Sequence, residues 1–236
     1  MSEPRRFAIG DIHGCYRTFR TMVEEILRVN KNDRLYLLGD YIDRGPSSRQ
    51  VLDYILRLQE TGYMVKPVLG NHEYMLLRSL EEEEDFRLWI LNGCAATLRS
   101  FGVDPLRVHD RESVFEIPGT YIRFLSDLPV YENDGDYLFV HAGIPRGTGN
   151  MEENTDIVLW TRDESVDEHI LGRRTLIHGH TPVSEEMIRL RLREPEARVI
   201  NLDAGCVYDR FPSLGNLAAL DLDSREVFFL KNMDRE

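Results

Sequence analysis

Cysteine is scarce. Cys15, Cys94 and Cys206 are the only three in 236 residues, an odd number with no CxxC spacing. That excludes a disulfide framework and points to a reducing compartment. Long apolar runs are missing as well. Nothing approaches 18 consecutive apolar residues, so no membrane span and no membrane partner are expected. Basic charge is in deficit: 29 Lys and Arg stand against 41 Asp and Glu, a net charge of −12. So acidic a chain is a poor partner for nucleic acid, whose phosphates must be neutralised by basic patches. Repeats, low-complexity tracts and Pro/Gly/Ser linkers are absent, so a single domain over residues 1–236 is expected. Arg5-Arg6 faintly resembles a twin-arginine export signal, but Asp11 and His13 interrupt at once and no apolar stretch follows. The expected location is cytoplasmic.

What is present is enough apolar material for a core: 42% hydrophobic residues beside 30% charged. The first third alternates strand and helix. Phe7-Ala8-Ile9, Arg34 to Leu38 and Met64 to Leu69 read as strands. Between them, Phe19, Met22, Val23, Ile26 and Leu27 share one helical face. A second helix carries Val51, Leu52, Ile55 and Leu56, with Ser47 as its cap and Thr61-Gly62 as its stop. This βαβαβ rhythm implies parallel strands covered by helices. Residues from about His72 to Ser126 are mostly helical in pattern, and Glu81 to Asp85 reads as a solvated helix end or loop. The last part reads as strands at Tyr137–Val140, Thr175–Ile177, Met187–Leu192, Val199–Leu202, Leu217–Leu222 and Val227–Leu230, with a turn at Asp223-Ser224. The expected fold class is α/β, with two packed mixed sheets flanked by helices.

One feature recurs five times: an apolar strand ends, and a metal-ligating residue type appears beside glycine. The instances are Gly10-Asp11-Ile12-His13-Gly14, Gly39-Asp40-Tyr41-Ile42-Asp43-Arg44-Gly45, Gly70-Asn71-His72-Glu73, His141-Ala142-Gly143 and His178-Gly179-His180-Thr181. In open α/β sheets, sites form at the carboxyl ends of strands, and glycine lets backbone turn sharply and approach closely there. Singly, each instance reads as a turn, a cap or a packed histidine. Together they place Asp, Asn and several His in one cavity, an oxygen and imidazole mixture that suits Mn²⁺, Fe or Zn²⁺ better than Ca²⁺ or Mg²⁺.

These motifs resemble the calcineurin-like metallophosphoesterases, and more narrowly the PPP-type serine/threonine phosphatases in their compact bacterial and phage form. The likeness runs from residue 7 to about 222 and includes Leu159-Trp160-Thr161-Arg162 and Asn201-Leu202-Asp203-Ala204-Gly205. It implies a four-layer α/β/β/α sandwich. It implies two divalent metals, of which Mn²⁺ is the leading candidate. Asp11 and His13 would bind the first metal, Asn71, His141 and His180 the second, and Asp40 both. The metals would share and activate a water for attack on phosphorus. His72, paired with Asp43, would protonate the leaving oxygen, since an alkoxide leaves badly without a proton. Arg44 and Arg162 would clamp the phosphate with planar, bidentate geometry. Two dications and two guanidiniums outweigh Asp11 and Asp40, so an acidic protein can still hold a phosphate dianion.

One departure is informative. Gly179-His180-Thr181-Pro182 has proline where many metallophosphoesterases, nucleases among them, carry a second histidine. The PPP type lacks that ligand too, which favours a phosphomonoesterase. The expected substrate is phosphoserine or phosphothreonine in proteins, with phosphotyrosine a further candidate. Symmetrical diadenosine tetraphosphate hydrolysis is the alternative, and an inactive binding or scaffold module a third reading. The helical region, about 73–126, is expected to overhang the site and set specificity. His178 is read either as orienting a neighbour or as a packed strand residue. Glu73 is read as an orienting or capping group, Cys15 as a buried thiol, and Trp89 and Trp160 as core.

Overall fold

The computed structural model describes residues 4–163 and 165–234. Strands β1 (Arg6–Ile9), β2 (Arg34–Leu37) and β3 (Met64–Pro67) are parallel neighbours in the order β3-β2-β1. Helix α1 (Tyr16–Thr21), continued by a π-helical turn over Met22–Ile26, joins β1 to β2. Helix α2 (Ser48–Glu60) joins β2 to β3. Helices α3 (Asn71–Ser79), α4 (Glu83–Leu91) and α5 (Cys94–Ser100), a 3-10 turn at Arg111–Glu116 and helix α6 (Gly119–Ser126) follow. Next come β4 (Tyr131–Asp134), β5 (Tyr137–Val140), α7 (Thr155–Trp160), α8 (Glu168–Leu171), β6 (Thr175–His178), α9 (Glu185–Arg193) and β7 (Val199–Asn201). The hairpin of β8 (Asn216–Asp221) and β9 (Val227–Lys231) closes the chain.

Two mixed sheets result. The first has the order β3-β2-β1-β8-β9, with β8 antiparallel to β1. The second has the order β4-β5-β6-β7, with β4 antiparallel to β5. Alternation along the strands builds the layers, because successive side chains point to opposite faces. Phe7, Ile9, Leu35 and Leu37 face the helices α1 to α6. Ala8, Tyr36 and Leu38 face the second sheet and meet Phe139, Ile177 and Ile200. Leu138, Val140 and Leu176 point the other way, onto Val158 of α7 and Leu171 of α8. Tyr36 stacks on Phe139 between the sheets, ring centroids 4.0 Å apart and 5° from parallel. The phenolic hydroxyl of Tyr36 reaches Asp134 at 2.6 Å, so its polar end is satisfied at the sheet rim.

Three local expectations need correction. Met187–Leu192 is not a strand but most of helix α9. Its apolar residues alternate like a strand, yet Ser184 accepts a bond from the Met187 N–H, Glu185 and Glu186 occupy the first turn, and Arg191 and Arg193 the last. Cap and dipole complementarity outweigh the period of two. Ser47 stands at the N-cap position of α2, but its side chain makes no cap bond. Ile26, expected on the buried face of the first helix, is 41% exposed. The Leu27 N–H bonds the Met22 carbonyl at 2.9 Å, and this wider turn breaks the 3.6-residue period there. Strand β4, absent from the sequence reading, has the polar sequence Tyr-Glu-Asn-Asp at an edge. The run Glu81–Asp85 leads into α4, where three acidic residues complement the helix N-terminus.

Candidate active site

Sheet topology brings the five glycine-flanked loops together. Parallel strands β1, β2 and β3 from one sheet, and β5 and β6 from the other, all deliver their carboxyl ends to one side. The backbone there is held in unusual conformations. Among the described residues, seven non-glycine residues have positive φ, and five of them are His13, Asp40, Asp43, Arg44 and His180. Each such residue costs about 1–3 kcal/mol, so the surrounding bonds must over-determine it. They do. The carbonyl of Asp40 accepts from the N–H of Ile12 and His13 at 3.1 and 2.8 Å. The buried Glu73 carboxylate accepts from the N–H of Asp40, Tyr41, Ile42 and Gly70 at 2.8–3.2 Å. Glu73 therefore orients the β2 loop. Gly179 is required by packing: a Cβ there would lie 2.0 Å from the Asp11 carboxylate.

The donor atoms converge with their lone pairs inward. His13 donates its Nδ1–H to the Ile42 carbonyl at 2.9 Å, and His141 donates its Nδ1–H to the Leu38 carbonyl at 2.8 Å. Carbonyls only accept, so both rings present an unprotonated Nε2 to the cavity. His141 Nε2 lies 2.7 Å from Asn71 Oδ1, 3.2 Å from His180 Nδ1 and 3.4 Å from Asp40 Oδ1. His180 Nδ1 lies 3.0 Å from Asn71 Oδ1, while its buried Nε2 has no protein partner. His13 Nε2 lies 3.5 Å from the other Asp40 oxygen. Asp40 thus touches both groups, with one oxygen toward His13 and the other toward His141. Asp11 sits slightly apart, its carboxylate accepting from the His180 N–H at 3.1 Å.

Electrostatics point the same way. Burial, with Asp203 and Asp40 nearby, pushes the Asp11 carboxyl well above the usual range. Burial, with Asp40 as neighbour, raises Asp203 to about 7 and Glu73 to about 8. Burial would raise Asp40 as well, but the positive charge that His141, His72 and His13 carry when protonated, together with Arg44, holds it below the ordinary carboxylate value. Burial lowers His13 and His141, and takes His180 down to about 3, so these rings are neutral at neutral pH. Several buried carboxylates, converging lone pairs and neutral imidazoles form a cavity short of positive charge. The residues present fit divalent cations.

His72 stands beside this set. Its Nδ1 is 2.6 Å from Asp43 Oδ2 and its Nε2 is 3.9 Å from Asp40 Oδ2. Arg44 lies next to His13, its guanidinium 5.4 Å from the ring centre of Tyr208. Arg162 is exposed, near enough to His180 to help depress its basicity. His178 is partly buried, with Nδ1 3.2 Å from the Gly179 carbonyl, and burial takes it down to about 4. Cys15 is a buried free thiol, and Trp89 is fully buried. The indole of Trp160 borders the site, 6.3 Å from the His180 ring, and also lines a cavity of about 320 Å³ with Tyr74, Met75, Arg78, Asp85 and Asp156.

Sequence reasoning did not assign Tyr208 beneath Arg44, the buried Asp203 carboxylate, or the hydrogen bonds that Trp89 and Thr97 make to Asp43. A buried indole N–H must find an acceptor, so Trp89 carried a signal, but one without an address.

Residues 5–200 match the calcineurin-like phosphoesterase family. The chain belongs to that family. This phosphoesterase is 33% identical over 139 residues to the symmetrical bis(5'-nucleosyl)-tetraphosphatase of Nitrosospira multiformis, covering 58% of the chain but only 43% of that relative. It is 30% identical over 182 residues to serine/threonine-protein phosphatase 2 of Salmonella typhimurium, covering 74% of the chain and 78% of the relative. Among solved structures, a putative diadenosine tetraphosphatase superposes with a TM-score of 0.67 at 21% identity, covering 99% and 96% of the two chains. That likeness concerns the fold. The family binds divalent metals, and the residues gathered in this cavity are candidate ligands for them. No helix among the described residues is long and apolar enough to cross a membrane.

Proposed function

We propose that this phosphoesterase removes phosphate from phosphoserine and phosphothreonine in proteins, with phosphotyrosine a further substrate. One observation carries the reading: a buried histidine, His72, bonded to a buried aspartate and turned toward the donor cavity. Asp43 accepts from Nδ1, which directs Nε2 to the cavity as the atom that hands a proton to a departing oxygen. An alkoxide needs that proton far more than a nucleoside phosphate does, and this supports a monoester of serine or threonine.

In this reading Asp11 and His13 hold one metal ion, Asn71, His141 and His180 the other, and Asp40 both. Two such ions, Mn²⁺ first among the candidates, supply Lewis-acid polarisation of the phosphoryl oxygens and of the attacking water. Arg44 and Arg162 bind and orient the phosphate. Tyr74, Met75, Arg78 and Asp85 belong to the helical region at about 73–126, and with Trp160 they form the cavity beside the site where the flank of a substrate is selected. The protein acts as a soluble cytoplasmic enzyme on a phosphoprotein or small phosphoester.

A second reading is favoured by the names of relatives: hydrolysis of symmetrical dinucleoside tetraphosphates. Comparing kcat/KM on a phosphoserine peptide, on p-nitrophenyl phosphate and on diadenosine tetraphosphate separates the two. The proposal expects the phosphopeptide to be the better natural substrate. A larger value on diadenosine tetraphosphate overturns it. No phosphate release from any of them with excess Mn²⁺ returns the molecule to a binding or scaffold role.

A further inference from the structure

The structure assigns Trp89 and Thr97 as positioning residues for the Asp43–His72 pair, reached from the helical segment and not from the strand-end loops. The inference rests on the reading of His72 as the acid. Asp43 is fully buried, in a left-handed backbone conformation with φ of 70°. Its Oδ2 accepts two bonds, from His72 Nδ1 and from Trp89 Nε1, each 2.6 Å long. Its Oδ1 accepts from the Thr97 hydroxyl, also at 2.6 Å. The Asp43 N–H is held by Thr97 Oγ1 at 2.9 Å and Ser48 Oγ at 3.1 Å, and those two hydroxyls lie 3.0 Å apart.

The protons can be counted. The Thr97 hydroxyl has one hydrogen, and the carboxylate takes it. Thr97 Oγ1 then accepts from the Asp43 N–H and from Ser48, whose own lone pair also receives the Asp43 N–H. Every polar group is satisfied only when Asp43 is a carboxylate in this one rotamer. With donors on both oxygens it cannot swing, and the lone pair facing His72 stays aligned. Trp89 and Thr97 are both fully buried, in α4 and α5. The indole N–H and the threonine hydroxyl therefore carry a geometric requirement from the helical segment into the proton-donating end of the site. Their use of charged hydrogen bonds in a buried position makes each one costly to lose.

The test uses conservative variants on two leaving groups. Trp89→Phe removes the N–H and keeps an aromatic ring. Thr97→Val removes the hydroxyl at nearly constant shape, and Thr97→Ser restores it. On a phosphoserine peptide, Trp89→Phe and Thr97→Val should each lower kcat about 10- to 100-fold, the range seen when supporting partners of a reactive group are removed. KM and metal content should hold, p-nitrophenyl phosphate turnover should change less than about threefold, and Thr97→Ser should recover most of the loss. In a His72→Asn background neither change should cost anything more, because the group they position is gone. Equal losses on both substrates, additive losses in the His72→Asn background, or full kcat in Trp89→Phe and Thr97→Val would each overturn the assignment. If Trp89→Phe does not fold, the Thr97→Val and Thr97→Ser pair decides alone. His72→Asn by itself keeps the failures apart. Equal loss on both substrates there refutes the acid role, whereas a leaving-group-dependent loss there with none in the Trp89 and Thr97 variants refutes only the positioning role.

Discussion

The two ends of the site are built differently. At the end formed by Asn71, His141 and His180, the strand-end loops do the holding: the Leu38 carbonyl sets His141, the Asp11 carboxylate accepts from the His180 N–H, and Asn71 Oδ1 meets both rings. At the end formed by Asp43 and His72, side chains do it: Trp89, Thr97 and Ser48 reach in from α4, α5 and α2. The first end follows from where the parallel strands stop. The second depends on how the helical segment packs against the β2 loop. A change in the helices can therefore disturb proton delivery while leaving the metal donors in place.

The comparison can be broken in order of effect. Asp40→Asn should be the most damaging substitution, because Asp40 faces both donor groups at once. Activity should fall by more than about 10³-fold with loss of bound metal by elemental analysis. Retention of both would show that the two groups do not share Asp40. Arg44→Ala should come next. It should lower kcat/KM about 30- to 1000-fold, as expected for a lost charged contact to an oxyanion, with metal content unchanged. Arg162→Ala should cost less than Arg44→Ala, since Arg162 is exposed while Arg44 is half-buried beside Tyr208. The reverse order in steady-state kinetics would move the main phosphate clamp to Arg162. The smallest effect lies away from both ends. Ser184→Ala removes the cap of α9 and should cost about 1 kcal/mol in denaturant unfolding, with kinetics untouched.

How much was legible follows from the same contrast. Asp11, His13, Asp40, Asn71, His141 and His180 each sit within two residues of a glycine or a strand end, so local pattern alone singles them out as candidate donors. The layers were not legible in the same way: Phe7, Ala8 and Ile9 are all apolar, yet Phe7 and Ile9 face helices while Ala8 faces the other sheet. The period of two failed at Met187–Leu192, because Ile188 is the buried residue of a half-exposed helix and its neighbours alternate only by accident. It failed in the opposite sense at Tyr131–Asp134, where an edge strand buries little and polar residues suffice. Trp89 and Thr97 lie 46 and 54 residues from Asp43. Nothing in the spacing of an indole, a hydroxyl and a carboxylate says that they meet; only tertiary packing does.

The central claim is one cavity holding two metal ions on either side of Asp40. An anomalous difference map from crystals soaked in Mn²⁺ tests it directly. The account predicts two peaks, about 3.5–4 Å apart as in other two-metal sites, one against Asp11 and His13 and the other against Asn71, His141 and His180, with Asp40 between them. A single peak, or two peaks that Asp40 does not bridge, would contradict it.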